Sequence, residues 1–294
     1  MPSSSKRPTS VAERWLQLGL KVFITAMLLA WLVLQVYPIF FLFITSLKSD
    51  PDILSAPYAL PFPPQFSNYT AVIEGGRTNQ SILVYFSNSV IITAGTLILL
   101  IAVSSLAGYS LARGKFPGNA ATQQLFLLAL AVPVHVLLIP IYFFFGQIGL
   151  RNNLFGMILL YTTLGLPFTT ILMRAYFVSF PKELEEAARI DGCSRFAVFW
   201  RVVLPISRGA LASMAIINIG WVWSELFFGL TLLDKAALRT LPLAIAAYKP
   251  ASMAQQTAVG ELFAIMALTV LPMLVFYFLF QNQIRKGMTA GAVK

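Results

Sequence analysis

Long apolar stretches alternating with short charged ones set the plan of this chain. Six stretches approach the roughly 20 mostly apolar residues that a helix needs to cross a bilayer. They lie within residues 22–44, 83–111 and 120–145, and at about 154–173, 209–232 and 262–281. Residues 22–47 hold no charge, a run longer than the roughly 7–15 residues of a signal-peptide core. It therefore reads as a retained span, even though Lys6, Arg7, Arg14 and Lys21 precede it. The pattern predicts an all-α integral membrane protein of six transmembrane helices.

Composition strengthens that reading. Charged residues make up 11% of the chain and hydrophobic ones 58%, with a mean hydropathy of +0.77; soluble domains carry roughly 25% charged residues. The formal charge of +10 does not point to nucleic acid, because the Lys and Arg residues fall between apolar runs rather than on one water-facing surface. With the N-terminus inside, fifteen of the 21 basic residues fall in cytoplasmic segments. The positive-inside rule then places both termini in the cytoplasm, and an even number of spans agrees. The expected organisation is a cytoplasmic tail at 1–21, a bundle at 22–284 containing a loop at 174–208, and a second tail at 285–294.

Two outside segments are long. Residues 46–82 are rich in Pro and aromatics and read as an ordered, mostly irregular cap; residues 231–261 form the other. Pro133, Pro140, Pro167 and Pro272 fall inside or beside spans, where neighbouring helices can satisfy the freed carbonyls. No internal repeat is visible, so an inverted-repeat carrier is not supported. Cys193, the single cysteine, excludes an internal disulfide framework and a multi-cysteine metal site.

The most charged stretch, 174–208, reads as two short helices. Pro181 suits a first turn, Glu183, Glu185 and Glu186 sit near the positive dipole end, and Glu185 to Arg189 has the spacing of an i,i+4 pair. Gly192 supplies a stop. Leu184, Ala187, Ala188 and Asp191 share one small-residue face. A second helix runs from an N-cap at Ser194 to a break at Leu204-Pro205, with Phe196, Phe199, Trp200 and Val203 along one side. Taken alone, the stretch could be a surface-lying connector or an interfacial amphipathic element.

Glu186-Ala187-Ala188, then Gly192, then Val202-Val203-Leu204-Pro205 resembles the EAA loop of bacterial binding-protein-dependent ABC importers, with Val202 where Ile is usual. Asp191 before the glycine is similar to the carbohydrate subfamily. So are Asn88-Ser89, Tyr109 to Arg113 before Phe116-Pro117-Gly118, Pro140, the segment Gly149-Leu150 … Asn152-Asn153, and the tail from Gly287 to Lys294. The last resembles the ending of the smaller permease of maltose-type systems. The resemblance covers about residues 35–294. It implies the type I ABC importer permease fold, in a bacterial cytoplasmic (inner) membrane. It also implies that Glu186, Ala187, Ala188, Asp191, Gly192, Leu204 and Pro205 belong to a coupling-helix loop seated on an ATPase. The implied partners are a second, homologous permease making a heterodimer, an ATPase dimer that binds ATP and Mg, an extracytoplasmic solute-binding protein, and membrane lipid, with a carbohydrate as cargo. This chain would carry no cofactor and would not be an enzyme.

Candidate path residues follow from the cost of ionisable groups at membrane depth, about 2.5–3.5 kcal/mol for a carboxylate. Glu225 lies near the end of the fifth span, with Asn218, Trp221, Trp223 and Ser224 beside it. Aromatics stack on sugar faces while Asn and Glu bond hydroxyls, but Trp at a span end is also an interfacial belt residue. His135 is either a path donor or a neutral histidine packed between helices, and no second histidine exists to build a metal site. The chain lacks G-x-x-x-x-G-K-[ST], so it has no phosphate-cradling loop. Two other readings stay open. The cargo could be an acidic or phosphorylated sugar or polyol, or the chain could be a self-contained channel or ion-driven carrier that works without ATP.

Overall fold

A computed structural model describes residues 11–78, 80–248 and 259–290, and among these every regular element is helical. The side chains of 11–14, 16, 77 and 282–290 fall outside the description. So do residues 1–10 and 291–294 of the expected tails, and 249–258 of the expected outer segment. In chain order the helices are α1 (Val11–Thr45), α2 (Asp50–Ser55), α3 (Ser67–Glu74), α4 (Ile82–Arg113), α5 (Asn119–Ala131), α6 (Leu138–Gln147) and α7 (Leu154–Ser179). There follow α8 (Lys182–Ile190), α9 (Arg195–Val198), α10 (Leu204–Ile206), α11 (Arg208–Ser224), α12 (Phe227–Leu232), α13 (Leu241–Ala247) and α14 (Val259–Ala290).

Four helices are long and apolar enough to cross a membrane unaided: Gln17–Thr45, Ile82–Arg113, Leu154–Ser179 and Val259–Gln281. Six spans result only if two bent pairs each count as one. The first bent pair corrects the expected third span, which is broken rather than continuous. Val134–Gln147 turns 89° from Asn119–Ala131, because Pro133 has no N–H to give and pushes Val132 into an extended conformation, ψ 122°. The second pair joins Arg195–Ile206 to Arg208–Ser224 at 72°. The expected fifth span is also shorter than 209–232: α11 stops at Ser224, and α12 begins three residues later, at Phe227. Pro167 and Pro272 are absorbed inside α7 and α14.

The centre of the bundle is the parallel pair α4 and α7, the most extensive helix contact. Lipid tails are as apolar as leucine, so no hydrophobic force draws helices together in a bilayer, and close van der Waals approach between small residues does it instead. The pair uses glycines for this. Gly95 lies against Ile158, Gly165 against Leu100, and Gly108 against Met173 and the Arg174 backbone. Thr96, Ser104 and Ser105 of α4 and Thr162, Thr169 and Thr170 of α7 are also buried. Asn153 caps α7, its Oδ1 accepting from Phe155 N at 2.8 Å.

Around this pair, α11 packs against α4, α7 and α14, and α5 lies on α7. By contrast, α1 stands clear: from Gln17 to Phe40 every side chain is exposed. It meets the bundle at its end, where the Phe41 and Phe263 rings are 6.1 Å apart. The expected ordered, mostly irregular cap at 46–82 contains two short helices, α2 and α3. Asn68 Nδ2 donates to the carbonyls of Ser46 and Lys48, both at 2.9 Å, and buried Lys48 donates to Ala56 O and Pro57 O.

A Cβ at Gly108 would stand 2.9 Å from both Met173 Cβ and Arg174 N, whereas one at Gly19 in α1 would meet nothing within 4 Å. Gly108→Ala should therefore cost about 1–3 kcal/mol and lower the thermal unfolding midpoint of the purified chain in detergent. Gly19→Ala should leave the midpoint unchanged or slightly raised.

Candidate functional site

The loop between α7 and α11 is built by ordinary capping. Phe180 and Pro181 are extended, and Pro181 occupies the N-cap of α8. At the other end Asp191 N donates to Ala187 O at 3.0 Å, Gly192 N to Arg189 O at 3.1 Å, and Cys193 N to Ala188 O at 3.0 Å. This closure requires φ +85° at Gly192, a left-handed conformation that glycine adopts without steric cost. Ser194 Oγ then accepts from Ala197 N at 3.2 Å and starts α9.

Beyond α9 the expected break at Leu204-Pro205 does not occur. Residues Phe199–Val203 form a π-helical turn, with Leu204 N donating to Phe199 O, and the helix continues to Ile206. Pro205 cannot donate to the carbonyl one turn back, and the wider turn accommodates this. The chain bends one residue later, at buried Ser207.

The two helices separate their residues sharply. Ala188 is buried with Phe177, Phe180, Val198, Phe199 and Val203. Leu184, Glu186, Ala187, Asp191, Gly192 and Pro205 are exposed, while Leu204 is partly buried against the cluster. Ala188 thus leaves the face expected to hold it with Leu184, Ala187 and Asp191. The expected aromatic side also splits: Phe199 and Val203 turn in, while Phe196 and Trp200 remain exposed with rings 5.9 Å apart.

Glu185 does not pair with Arg189 as the i,i+4 spacing suggests. Its Oε1 receives Arg113 Nε at 2.7 Å and its Oε2 receives the Tyr109 hydroxyl at 2.8 Å. Arg113 Nη2 also donates to Phe180 O at 2.5 Å. The Arg113 and Glu185 side chains are only 15% and 13% exposed, so this pair forms out of water, where an exposed helix-surface pair cannot compete. The Tyr109 ring packs 5.0 Å from Phe199 and 5.6 Å from Phe177. In the sequence Tyr109 and Arg113 stand out only within a motif, at the close of a span, that carries the family resemblance; nothing local names their partner.

Away from the loop, from the middle of the bundle to its far end, the path candidates do not form one open patch. Asn218 is buried, donating to Thr169 Oγ1 at 3.1 Å and Met214 O at 2.9 Å. Trp223 is buried, its Nε1 donating to Thr269 O at 3.4 Å. It lines an apolar cleft of about 220 Å³ with Leu97, Ile219, Pro272 and Phe276. Ser224 is exposed and bonds back to Gly220 O at 2.7 Å. Glu225 accepts from the Tyr161 hydroxyl and from the amides of Phe228 at 2.9 Å and Gly229 at 3.2 Å. The carboxylate therefore caps α12 and finds its partners in a tyrosine hydroxyl and two backbone amides. Trp221 stands edge-on to Tyr161 at 5.7 Å. His135 is exposed rather than packed between helices, its ring edge-on to Phe227 at 4.9 Å.

The end of the bundle away from the loop is held by two ties, from residues that carry the family resemblance. Asn88 Nδ2 donates to Ala237 O and Arg239 O, both at 2.9 Å, and Ser89 Oγ accepts from Leu241 N at 2.8 Å. Asn152 Oδ1 accepts from Asp234 N at 2.7 Å, beside the Arg151–Asp234 ion pair at 2.8 Å.

A bundle of bent and straight membrane-length helices, with a two-helix loop standing on one end, defines a multi-pass membrane protein. Residues 101–290 match the binding-protein-dependent transport system inner membrane component family. The diacetylchitobiose uptake system permease NgcG of Streptomyces coelicolor is 34% identical over 92% of this chain and 87% of its own length. The sulfoquinovosyl glycerol transport system permease SmoH of Agrobacterium fabrum is 29% identical over 92% and 93%. A bacterial ABC transporter involved in the import of the acidic polysaccharide alginate shares the fold, with a TM-score of 0.79, 20% identity, and coverage of 94% of this chain and 99% of that one. The chain belongs to the inner membrane components of binding-protein-dependent ABC importers.

Removing the Glu225 carboxylate leaves a tyrosine hydroxyl and two amides without an acceptor. Glu225→Ala should lower stability in detergent by about 1.5–3 kcal/mol, the range for hydrogen bonds to a charged group. Glu225→Gln, which keeps an acceptor oxygen, should lose less in the same thermal melt.

Proposed function

We propose that this chain is one permease half of an ATP-driven sugar importer of the bacterial cytoplasmic membrane. It would work with a second, similar permease, an ATPase dimer and an extracytoplasmic binding protein. The observation that carries this reading is the loop: a short helix presenting Glu186, Ala187 and Asp191 outward, closed by Gly192 at φ +85°. Small residues on that face permit close backbone approach, and Glu186 offers a carboxylate to a cationic or N–H partner. The loop end is then cytoplasmic, in agreement with the basic residues Arg195, Arg201 and Arg208 it carries. ATP and Mg would be bound and hydrolysed in the partner, since this sequence has no phosphate-cradling motif.

The chain's part is mechanical. Nucleotide on one side and a loaded binding protein on the other each favour one arrangement of the bundle, and each must contact the two arrangements differently to do so. The outer segment at 231–248 is tied to α4 through Asn88 and Ser89. It offers a positioned surface for the binding protein. The diacetylchitobiose relative supports a neutral oligosaccharide as cargo. The sulfoquinovosyl glycerol relative favours a second reading, in which the sugar is acidic.

Co-purification in mild detergent should recover a P-loop ATPase and a second permease, and proteoliposomes of the complex should import sugar only with ATP. Transport by the chain alone without ATP would replace this reading with a channel or carrier. Calorimetry of the binding protein against neutral and acidic sugars decides the cargo. A Cβ at Gly192 meets nothing within 4 Å. Gly192→Trp should therefore reach the docking surface and cut ATP-driven import by about tenfold or more. Gly192→Ala carries the backbone strain alone, and its loss should be smaller. Unaltered import by the Trp variant would count against docking at this loop.

A further inference from the structure

We infer that Glu185, Arg113 and Tyr109 form the joint that carries motion of α8 into α4, and that Glu185 is a positioning residue for coupling. The inference rests on the loop being the ATPase contact. It concerns how force leaves that contact, for which the exposed Glu186 has no geometry.

Covalent connection alone ties α8 poorly. The two extended residues before it, Phe180 and Pro181, and the Gly192 turn after it fix its position more firmly than its orientation. A second attachment is needed if displacement of α8 is to move the bundle rather than pivot the helix. The Glu185 carboxylate supplies it, one oxygen on Arg113 and the other on Tyr109, at 2.7 and 2.8 Å. Arg113 holds the hinge as well, through Phe180 O. One guanidinium therefore fixes both the helix and the segment that would let it swing.

The joint enters the bundle where α4 and α7 are in close contact. Tyr109 and Arg113 are one turn apart on α4, so they face the same way. Gly108, beside Tyr109, is the point where α4 touches the α7 backbone. Motion delivered to Tyr109 and Arg113 therefore reaches α4 and α7 together, as one body. On its other side the loop meets α11 through the 72° bend at Ser207, and neither of the two ion pairs among the described residues lies there. Adjacent residues on a helix point about 100° apart. Glu186 can thus face a partner while Glu185 faces the bundle: force enters at one carboxylate and leaves by the next.

The test uses the complete transporter in proteoliposomes, with the sugar identified by calorimetry as the probe, and reads the ratio of sugar imported to ATP hydrolysed. Glu185→Gln should lower that ratio by about tenfold while the complex still co-purifies and hydrolysis continues. Tyr109→Phe, which removes one oxygen and keeps the ring packing, should lower it less. Exchanging the charges, Glu185→Arg with Arg113→Glu, should recover a higher ratio than either single change. If Glu185→Gln fails to assemble, Tyr109→Phe decides by the same ratio. A wild-type ratio in Glu185→Gln or, where that variant does not assemble, in Tyr109→Phe overturns the inference. So does a proportional fall of import and hydrolysis in every variant, as loss of a merely structural contact would give. Gly192→Trp separates the two levels: if it is impaired while the Glu185 and Tyr109 variants are normal, only the joint is wrong. If Gly192→Trp is also normal, the docking reading itself fails.

Discussion

The close contact of α4 with α7 is the constraint on which the other elements depend. In a bilayer the two helices gain nothing by hiding apolar surface from lipid, so they adhere only where their backbones come near enough for dense packing. Gly95, Gly108 and Gly165 permit that approach at three levels along the pair. Because the helices run parallel, the same ends coincide. The loop helices and their aromatic cluster pack on one shared end. The other end receives the ties from Asn88, Ser89 and Asn152.

Breaks in the spans are as specific as the contacts. Pro133 bends its span because nothing replaces the lost donor and the residue before it is driven extended. Pro205 does not, because a π-turn widens the helix just ahead of it. Glu225 ends α11 and immediately caps α12, so an ionisable group that is expensive at membrane depth is consumed by local backbone donors. Path residues expected on chemistry alone are thus largely engaged inside the bundle: Asn218 with Thr169, Trp223 with Thr269 and Glu225 with Tyr161. Trp221, Ser224 and His135 keep exposed surface.

At the opposite end, two neighbouring carboxylates take different environments. Glu185 is withdrawn from water and paired with a cation on another helix, where losing either partner would strand a charge. Glu186 stays at the surface. On the proposed reading, such a division suits a loop that both binds the ATPase and is held firmly by its own bundle.

Much of this was fixed by the chain's own pattern. Apolar length and the scarcity of charge dictated membrane helices, because no other arrangement satisfies their backbone in lipid. The caps at Ser194 and Gly192 were readable because capping is local chemistry within a few residues. Tertiary structure decided what depends on distant partners. It chose Arg113 over Arg189 for Glu185, since a shielded pair across 72 residues outcompetes a solvated one. It turned Ala188 and Phe199 inward by setting them over the α4 and α7 ends. It also gave Asn218 to Thr169 and Glu225 to Tyr161, because the meeting of α7 and α11 is a property of packing that periodicity along either helix does not encode.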